Sequence, residues 1–147
     1  MGDMFNSCKS LTKLNLSNFN TQKVIYMTCL FSECNSLIKL NLSNFNTNNV
    51  TDMKWMFHKC SSLKELNIFS FNTDNVTNMS HMFWEGKSLI KINIPKFNFH
   101  KVKEIHGMII SCPILNNKDE FRIEVENLEK SIEESNKKKK SKKCIIF

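Results

Sequence analysis

Residues 37–63 read LIKLNLSNFNTNNVTDMKWMFHKCSSL, and this segment is one copy of an internal repeat followed by the first residue of the next copy. The same arrangement recurs with a step of 26 residues and without insertions. One repeat unit is too short to bury its own apolar face, so its apolar positions are interpreted as a continuous core shared by stacked units. These positions form columns: Leu11, Leu37, Leu63 and Leu89; Phe19, Phe45, Phe71 and Phe97; Val24, Val50, Val76 and Val102; Met27, Met53, Met79 and Ile105; Phe5, Phe31, Phe57, Phe83 and Ile109.

Each unit is predicted to contain a short strand and a helical return. Leu14-Asn15-Leu16 alternates apolar and polar side chains in the manner of a strand. Val24, Met27 and Phe31 then follow at steps of three and four residues, which is the spacing of an α-helix or a 3₁₀-helix. Strands of neighbouring units are expected to pair in parallel, about 4.8 Å apart. Four such strands are predicted, at residues 14–16, 40–42, 66–68 and 92–94.

The pattern L-x-x-L-N-L-S-N-F-N-T-x-x-V-x-x-M-x-x-M-F-x-x-C-x-S-L resembles the BspA-like leucine-rich repeats of bacterial surface proteins, mycoplasma lipoproteins and parasitic protists. The likeness covers residues 4–115, where four consecutive units agree. It implies an α/β solenoid, a short right-handed leucine-rich repeat array of 26-residue coils that serves adhesion or protein binding, without catalytic residues. The bacterial relatives are exported, whereas residues 1–4 lack the basic and apolar regions of a secretory signal.

The cysteine and histidine residues are given structural interpretations. The column of Cys8, Cys34, Cys60 and Cys112, interrupted by Gly86, is interpreted as one small buried side chain per unit. A disulfide between adjacent units is geometrically conceivable, but reduced thiols are expected without an export signal. No metal site is predicted, because the chain has no C-x-x-C motif and its histidines lack ligand spacing. The four histidines are His58, His81, His100 and His106.

An acidic amphipathic helix is predicted over residues 119–136, after Pro113 ends the repeat register. Its apolar side chains follow at steps of four, three and four residues. The favoured interpretation is a capping helix that covers the last unit, and the alternative is a partner helix or short coiled coil. The first unit has no evident cap, so an exposed apolar edge and self-association are expected there. The apolar seam consists of Phe121, Val125, Leu128 and Ile132.

The net charge of +7 is concentrated at the C-terminal end, with +5 over residues 1–117, −4 over 118–136 and +6 over 137–147. Residues 137–147 are predicted to be a disordered polybasic tail that ends in a CaaX box. Within the box Cys144 is the predicted lipidation site, and Ile145, Ile146 and Phe147 are the residues a prenyltransferase would recognise. The basic residues are Lys137, Lys138, Lys139, Lys140, Lys142 and Lys143.

This C-terminal segment resembles the ends of prenylated small GTPases, and Phe at the last position favours geranylgeranyl over farnesyl. One lipid chain binds membranes only marginally, and each Lys near an anionic leaflet adds up to about 1 kcal/mol. The lysines are therefore interpreted as the second membrane signal. The alternative is a hydrated basic tail or a nuclear signal, in which the last four residues match a CaaX box by chance.

The predicted function is a non-enzymatic protein-interaction module, lipid-anchored at the cytoplasmic face of the plasma membrane of a eukaryotic cell. The alternative is a BspA-like adhesin at the cell surface. The chain has no nucleophile–base pair or phosphate-binding loop, so neither an enzyme nor a cofactor is predicted, and without a groove-reading motif nucleic acid is not an expected partner. The protein partner is not identified by the sequence. Candidate binding positions on the strand face are Lys13, Asn15, Lys39, Asn41, Lys64, Asn67, Lys91 and Asn93.

Overall fold

The computed structural model describes the backbone of residues 1–116 and 119–144, and the side chains of residues 1–115 and 119–139. Three strands form one open parallel sheet in the order β1-β2-β3, and two helices follow them. The elements are β1 (Lys39–Asn41), β2 (Glu65–Asn67), β3 (Lys91–Asn93), α1 (Pro113–Asn116) and α2 (Asp119–Cys144).

The strands pair at equivalent positions of successive units. Leu40 lies beside Leu66, and Leu66 beside Ile92, so every pair is separated by one repeat length. The side chains of Leu40 and Leu66 point into the core, whereas Lys39 and Asn41 on either side are exposed. The strands are therefore centred on the first of the two apolar residues, one position earlier than predicted.

The predicted α/β solenoid of leucine-rich repeat coils is wrong. The described residues contain three strands of three residues each in an open sheet, with two helices after them. Residues 14–16 were expected to form a fourth strand, and they form none. Within the described chain the first unit has a neighbouring unit on one side only, so its apolar side chains gain less burial than those of later units. Half-buried side chains of this unit are Phe5, Leu11, Leu14, Phe19 and Val24. The expected exposed apolar edge is thus confirmed, and self-association remains a prediction.

The predicted helical return is also wrong, because the chain makes consecutive turns there. Cys29 and Glu33 have φ of 54° and 58°, and residues in this left-handed region interrupt a right-handed helix. The N–H groups alternate between two kinds of acceptor. That of Leu30 donates to Met27 O within the unit at 3.3 Å, and that of Phe31 donates to Met56 O of the next unit at 3.0 Å. In this segment the bonds between units all run from the N–H of one unit to the carbonyl of the next.

The interpretation of the apolar columns as core is confirmed from Met27 onward. Met27, Met53 and Met79 are fully buried. Phenylalanine rings of successive units stack almost parallel, with centroids 5.5 Å apart for Phe5 and Phe31 and 5.9 Å apart for Phe31 and Phe57. Stacked rings of this kind add to the hydrophobic contribution of their burial.

A column of buried threonines joins the units on another side. Thr47 Oγ1 donates to Asn72 O at 2.8 Å and accepts the N–H of Asn72 at 2.7 Å. Thr21 bonds Asn46, and Thr73 bonds Asn98, in the same way. Each hydroxyl thus satisfies both backbone groups of one asparagine, which is why a polar side chain is stable in this core.

Replacing Thr47 with Val, which has nearly the same shape, should lower the free energy of unfolding by at least about 2 kcal/mol, because it leaves both backbone groups of Asn72 without their partner. Thr12→Val is the matched control, since Thr12 is exposed. The control should change stability by less than about 0.5 kcal/mol. Urea unfolding followed by circular dichroism measures both variants, and equal values for the two would contradict the role of the Thr47 hydroxyl.

Helix α2 covers the last unit and continues through the basic segment. Phe99 stands where earlier units have threonine, and the Phe121 ring of α2 packs against it with centroids 6.0 Å apart. Val125, four residues further along α2, is 1% exposed. The expectation of a disordered tail is wrong as far as Cys144, because the backbone is helical to that residue. Glu133 stands four residues before Lys137, a spacing and order that favour helix, and lysine is itself a good helix former. Neither described helix is long and apolar enough to cross a lipid bilayer.

Candidate functional site

The outer face of the sheet carries a shallow groove of about 770 Å³. Because the strands are in register, side chains of one column form a row across it. One row contains Lys13, Lys39, Glu65 and Lys91, and a second contains Asn41, Asn67 and Asn93. Of the predicted binding residues, the structure places six along this groove, and Asn15 and Lys64 are not among its lining residues. The predicted binding positions included Lys64 and not Glu65, whereas the structure places Glu65 in the charged row.

The charged row has a net positive charge. Lys39 Nζ lies 2.7 Å from Glu65 Oε1, in a solvent-exposed ion pair. The hydrogen bond from Lys39 lowers the pKa of Glu65, and the charge of Lys91 acts in the same direction. The ionised form of Glu65 is therefore favoured between the ammonium groups of Lys39 and Lys91, and the net positive row favours an acidic ligand surface.

The asparagine row is partly used by the fold itself. Asn41 Oδ1 accepts the N–H of Ser43 at 3.1 Å, and Asn67 Oδ1 accepts that of Phe69 at 3.2 Å. These bonds are Asx turns that end the strands. The asparagine side chains of this column thus bind backbone groups at the turns.

Aromatic and histidine rings form a second cluster on the segment of consecutive turns. The rings of His81 and Trp84 lie 4.6 Å apart between centroids, and those of His58 and Trp84 lie 5.3 Å apart. Loss of hydration on burial lowers the pKa of His58 and of His81, with Lys59 and His106 as their largest like-charge neighbours. The uncharged imidazoles are thereby favoured, and the rings form a packed aromatic surface.

The cysteine column lies in the core. Cys34, Cys60 and Cys112 are buried and Cys8 is half-buried, and all four are free thiols. Cys60 Sγ donates to Phe31 O at 3.1 Å. Burial raises the pKa of the Cys34 and Cys112 thiols to about 11, so the reactive thiolate is scarce at neutral pH.

The predicted anchor lies at the end of α2. Lys137, Lys138 and Lys139 are exposed on the helix, and the helix ends at Cys144. The backbone positions of Lys140, Lys142 and Lys143 belong to the same helix. The remaining recognition residues, Ile145, Ile146 and Phe147, lie outside the described residues.

A group of possible metal ligands lies where α2 crosses the last unit. His106 Nδ1 is 2.9 Å from Glu129 Oε1, and the N–H of Gly107 donates to the same oxygen at 3.0 Å. Glu133 completes the group, whose ligand atoms all lie within 4.8 Å of one another. Spacing in the sequence could not reveal it, because His106 is far from the two glutamates along the chain. The one sequence feature that pointed to this group is the four-residue spacing of Glu129 and Glu133, which places both side chains on one face of the helix.

Comparison with known proteins identifies a family but no characterised relative. The family model described as "Mycoplasma protein of unknown function, DUF285" matches residues 1–139. No curated protein and no solved structure gives a significant match. DUF285 is associated with the BspA-like repeat proteins, which agrees with the resemblance of the repeat unit. The chain belongs to the DUF285 family.

Proposed function

We propose that this chain is a non-enzymatic protein-interaction module, held at the cytoplasmic face of the plasma membrane by a prenylated Cys144 and the lysines around it. The observation that carries the proposal is the continuity of α2. Phe121 and Val125 fix one end of the helix to the last repeat unit, and the other end holds Lys137 to Lys139 and Cys144.

The basic end of the helix supports binding to an anionic membrane. The α2 helix is 26 residues long, which corresponds to about 39 Å. Its last eight residues, 137–144, include six lysines and reach about 12 Å along the axis. These positive charges stand at the negative end of the helix dipole, so the dipole stabilises the basic segment as helix. One prenyl chain and a basic cluster together are the two signals that stable anchoring requires.

The groove on the sheet supports binding to a protein. It is open, and charged and amide groups stand beside a largely apolar lining that includes the exposed Ile38. Transient protein interfaces mix apolar and polar surface in this way. The groove residues and α2 belong to different segments, so a partner could occupy the groove while the helix end lies on a membrane.

The alternative is a cell-surface adhesin of the BspA-like type, and membership of DUF285 is the observation that favours it. Protease treatment of intact cells separates the two locations. An adhesin is digested from outside, whereas a protein on the cytoplasmic face is protected until the membrane is permeabilised.

Intact-mass spectrometry of the protein purified from its own cells tests the anchor. We expect an isoprenoid in thioether linkage on Cys144, with geranylgeranyl favoured over farnesyl, and removal of Ile145, Ile146 and Phe147. The modification requires Phe147 to be the last residue of the protein in the cell, which the same spectrum reports. An unmodified Cys144 followed by Ile145-Ile146-Phe147 at the terminus would refute the anchor.

A further inference from the structure

A small open cavity of about 210 Å³ lies where α2 contacts the last unit, and its accessible lining is more apolar than polar. His106 enters it from the last unit, and Glu129 and Glu133 enter it from successive turns of the helix. Asn136 and Glu104 also line the cavity, so most of its polar side chains can offer an oxygen or nitrogen atom to a cation.

We propose that His106, Glu129 and Glu133 form a binding site for a divalent transition-metal ion of the Zn²⁺ type. One imidazole and two carboxylates match the ligands of Zn²⁺, which binds three protein groups and leaves a fourth position for water. Mg²⁺ and Ca²⁺ prefer oxygen ligands alone, so the imidazole disfavours them. Lys103 lines the same cavity, and its ammonium group would have to turn away from the ion.

The geometry is close to what such an ion requires. Ligand atoms about 2.1 Å from a tetrahedral ion are about 3.4 Å from one another. The His106 Nδ1 to Glu129 Oε1 distance of 2.9 Å needs only a small expansion. Glu133 is exposed and has three side-chain torsions, so its carboxylate can move about 1 Å inward at low cost.

Neighbouring groups hold two of the three ligands in place. The N–H of Gly107 donates to the same Glu129 oxygen that faces His106, and hydrogen bonds to ligand groups of this kind orient them in metalloproteins. The His81 ring packs edge-on against His106, with centroids 5.3 Å apart, and restricts its rotation. Gly107 permits this packing, since a Cβ at that position would overlap the His81 ring.

A bound ion would join α2 to the last unit through ligands from both. Because its ligands come together only in the folded chain, the ion would stabilise the packing of α2 against the last unit. This inference is independent of the lipid anchor, because it rests on residues that precede the basic segment.

The test is a titration of the full chain, free of affinity tag and treated with chelator, with ZnCl₂ in a calorimeter. We expect one ion per chain and a rise in the thermal unfolding midpoint on binding. Glu133→Gln and His106→Ala should each weaken binding by at least about tenfold. Glu124→Gln and His100→Ala, at exposed positions outside the cluster, are the matched controls and should bind like the parent chain.

Cobalt separates this site from binding by thiols. Co²⁺ held by His106 and the glutamates should show d–d absorption without a thiolate-to-cobalt charge-transfer band. Circular dichroism confirms that the variants are folded. The proposal is overturned if the folded Glu133→Gln and His106→Ala chains bind Zn²⁺ like their controls, if the parent chain binds no Zn²⁺, or if the cobalt spectrum shows thiolate ligation.

Discussion

Replacing Cys144 with Ser should transfer the protein from the membrane fraction of its own cells to the soluble fraction. The substitution removes the isoprenoid, and buried hydrocarbon contributes about 0.8 kcal/mol for each CH₂ group. The lysines that remain contribute up to about 1 kcal/mol each and only in the screened electrostatic field of the surface. Cell fractionation followed by immunoblotting measures the shift. Cys8→Ser, at a half-buried position in the first unit, is the control and should stay with the membrane.

A second variant separates the two membrane signals. Changing Lys137, Lys138, Lys139, Lys140, Lys142 and Lys143 to Gln keeps the lipid and removes the charge, so the protein should move to internal membranes of lower surface charge. Rising salt should weaken the binding of the parent protein to acidic vesicles and leave the Gln variant nearly unchanged. If the Cys144→Ser protein stays on membranes as firmly as the parent, the anchor does not depend on Cys144.

Replacing Phe57 with Ala should lower the free energy of unfolding by about 3–5 kcal/mol. The Phe57 side chain is 2% exposed, and its ring is stacked between those of Phe31 and Phe83 at centroid distances of 5.9 and 5.6 Å. The variant loses the burial of the ring, leaves a cavity and interrupts the stack between neighbouring units. A loss of this size is a large fraction of the stability of a small domain.

Phe69→Ala is the matched control, because Phe69 is 63% exposed in the next unit. Its free energy of unfolding should differ from that of the parent chain by less than about 0.5 kcal/mol. Urea denaturation followed by tryptophan fluorescence measures both variants. Similar losses for the two phenylalanines would show that the stack contributes little beyond ordinary surface contacts.

The sequence was sufficient to predict the core and the parallel register. Repeated apolar positions such as Met53 and Val50 can be recognised because every unit needs the same side chain at the same place. The strands were predicted near their observed positions for the same reason. The first predicted strand failed because a side chain such as Leu14 has the right residue type but lacks a neighbour on one side.

The turns were not predictable from residue types. A left-handed backbone is usually signalled by glycine or asparagine, yet here it occurs at residues such as Glu33, Trp55 and Lys59. Hydrogen bonds between units impose that conformation, and they are not visible in one unit read alone. The cluster of His106, Glu129 and Glu133 was missed for a related reason, because packing of α2 on the last unit brings the histidine to the glutamates.

The one-way hydrogen bonds of the turn segments give these segments an electric dipole along the stack. Peptide N–H groups of each unit point toward α2, so positive ends accumulate beside the helix and carbonyl oxygens at the first unit. Glu129 meets the positive end, where its carboxylate accepts the N–H of Gly107. If two copies met through their first units, the carbonyl oxygens of these segments in one copy would face those of the other copy. A protein that extends the stack there must therefore supply N–H donors to these segments, and self-association through that end gains no backbone hydrogen bonds from them.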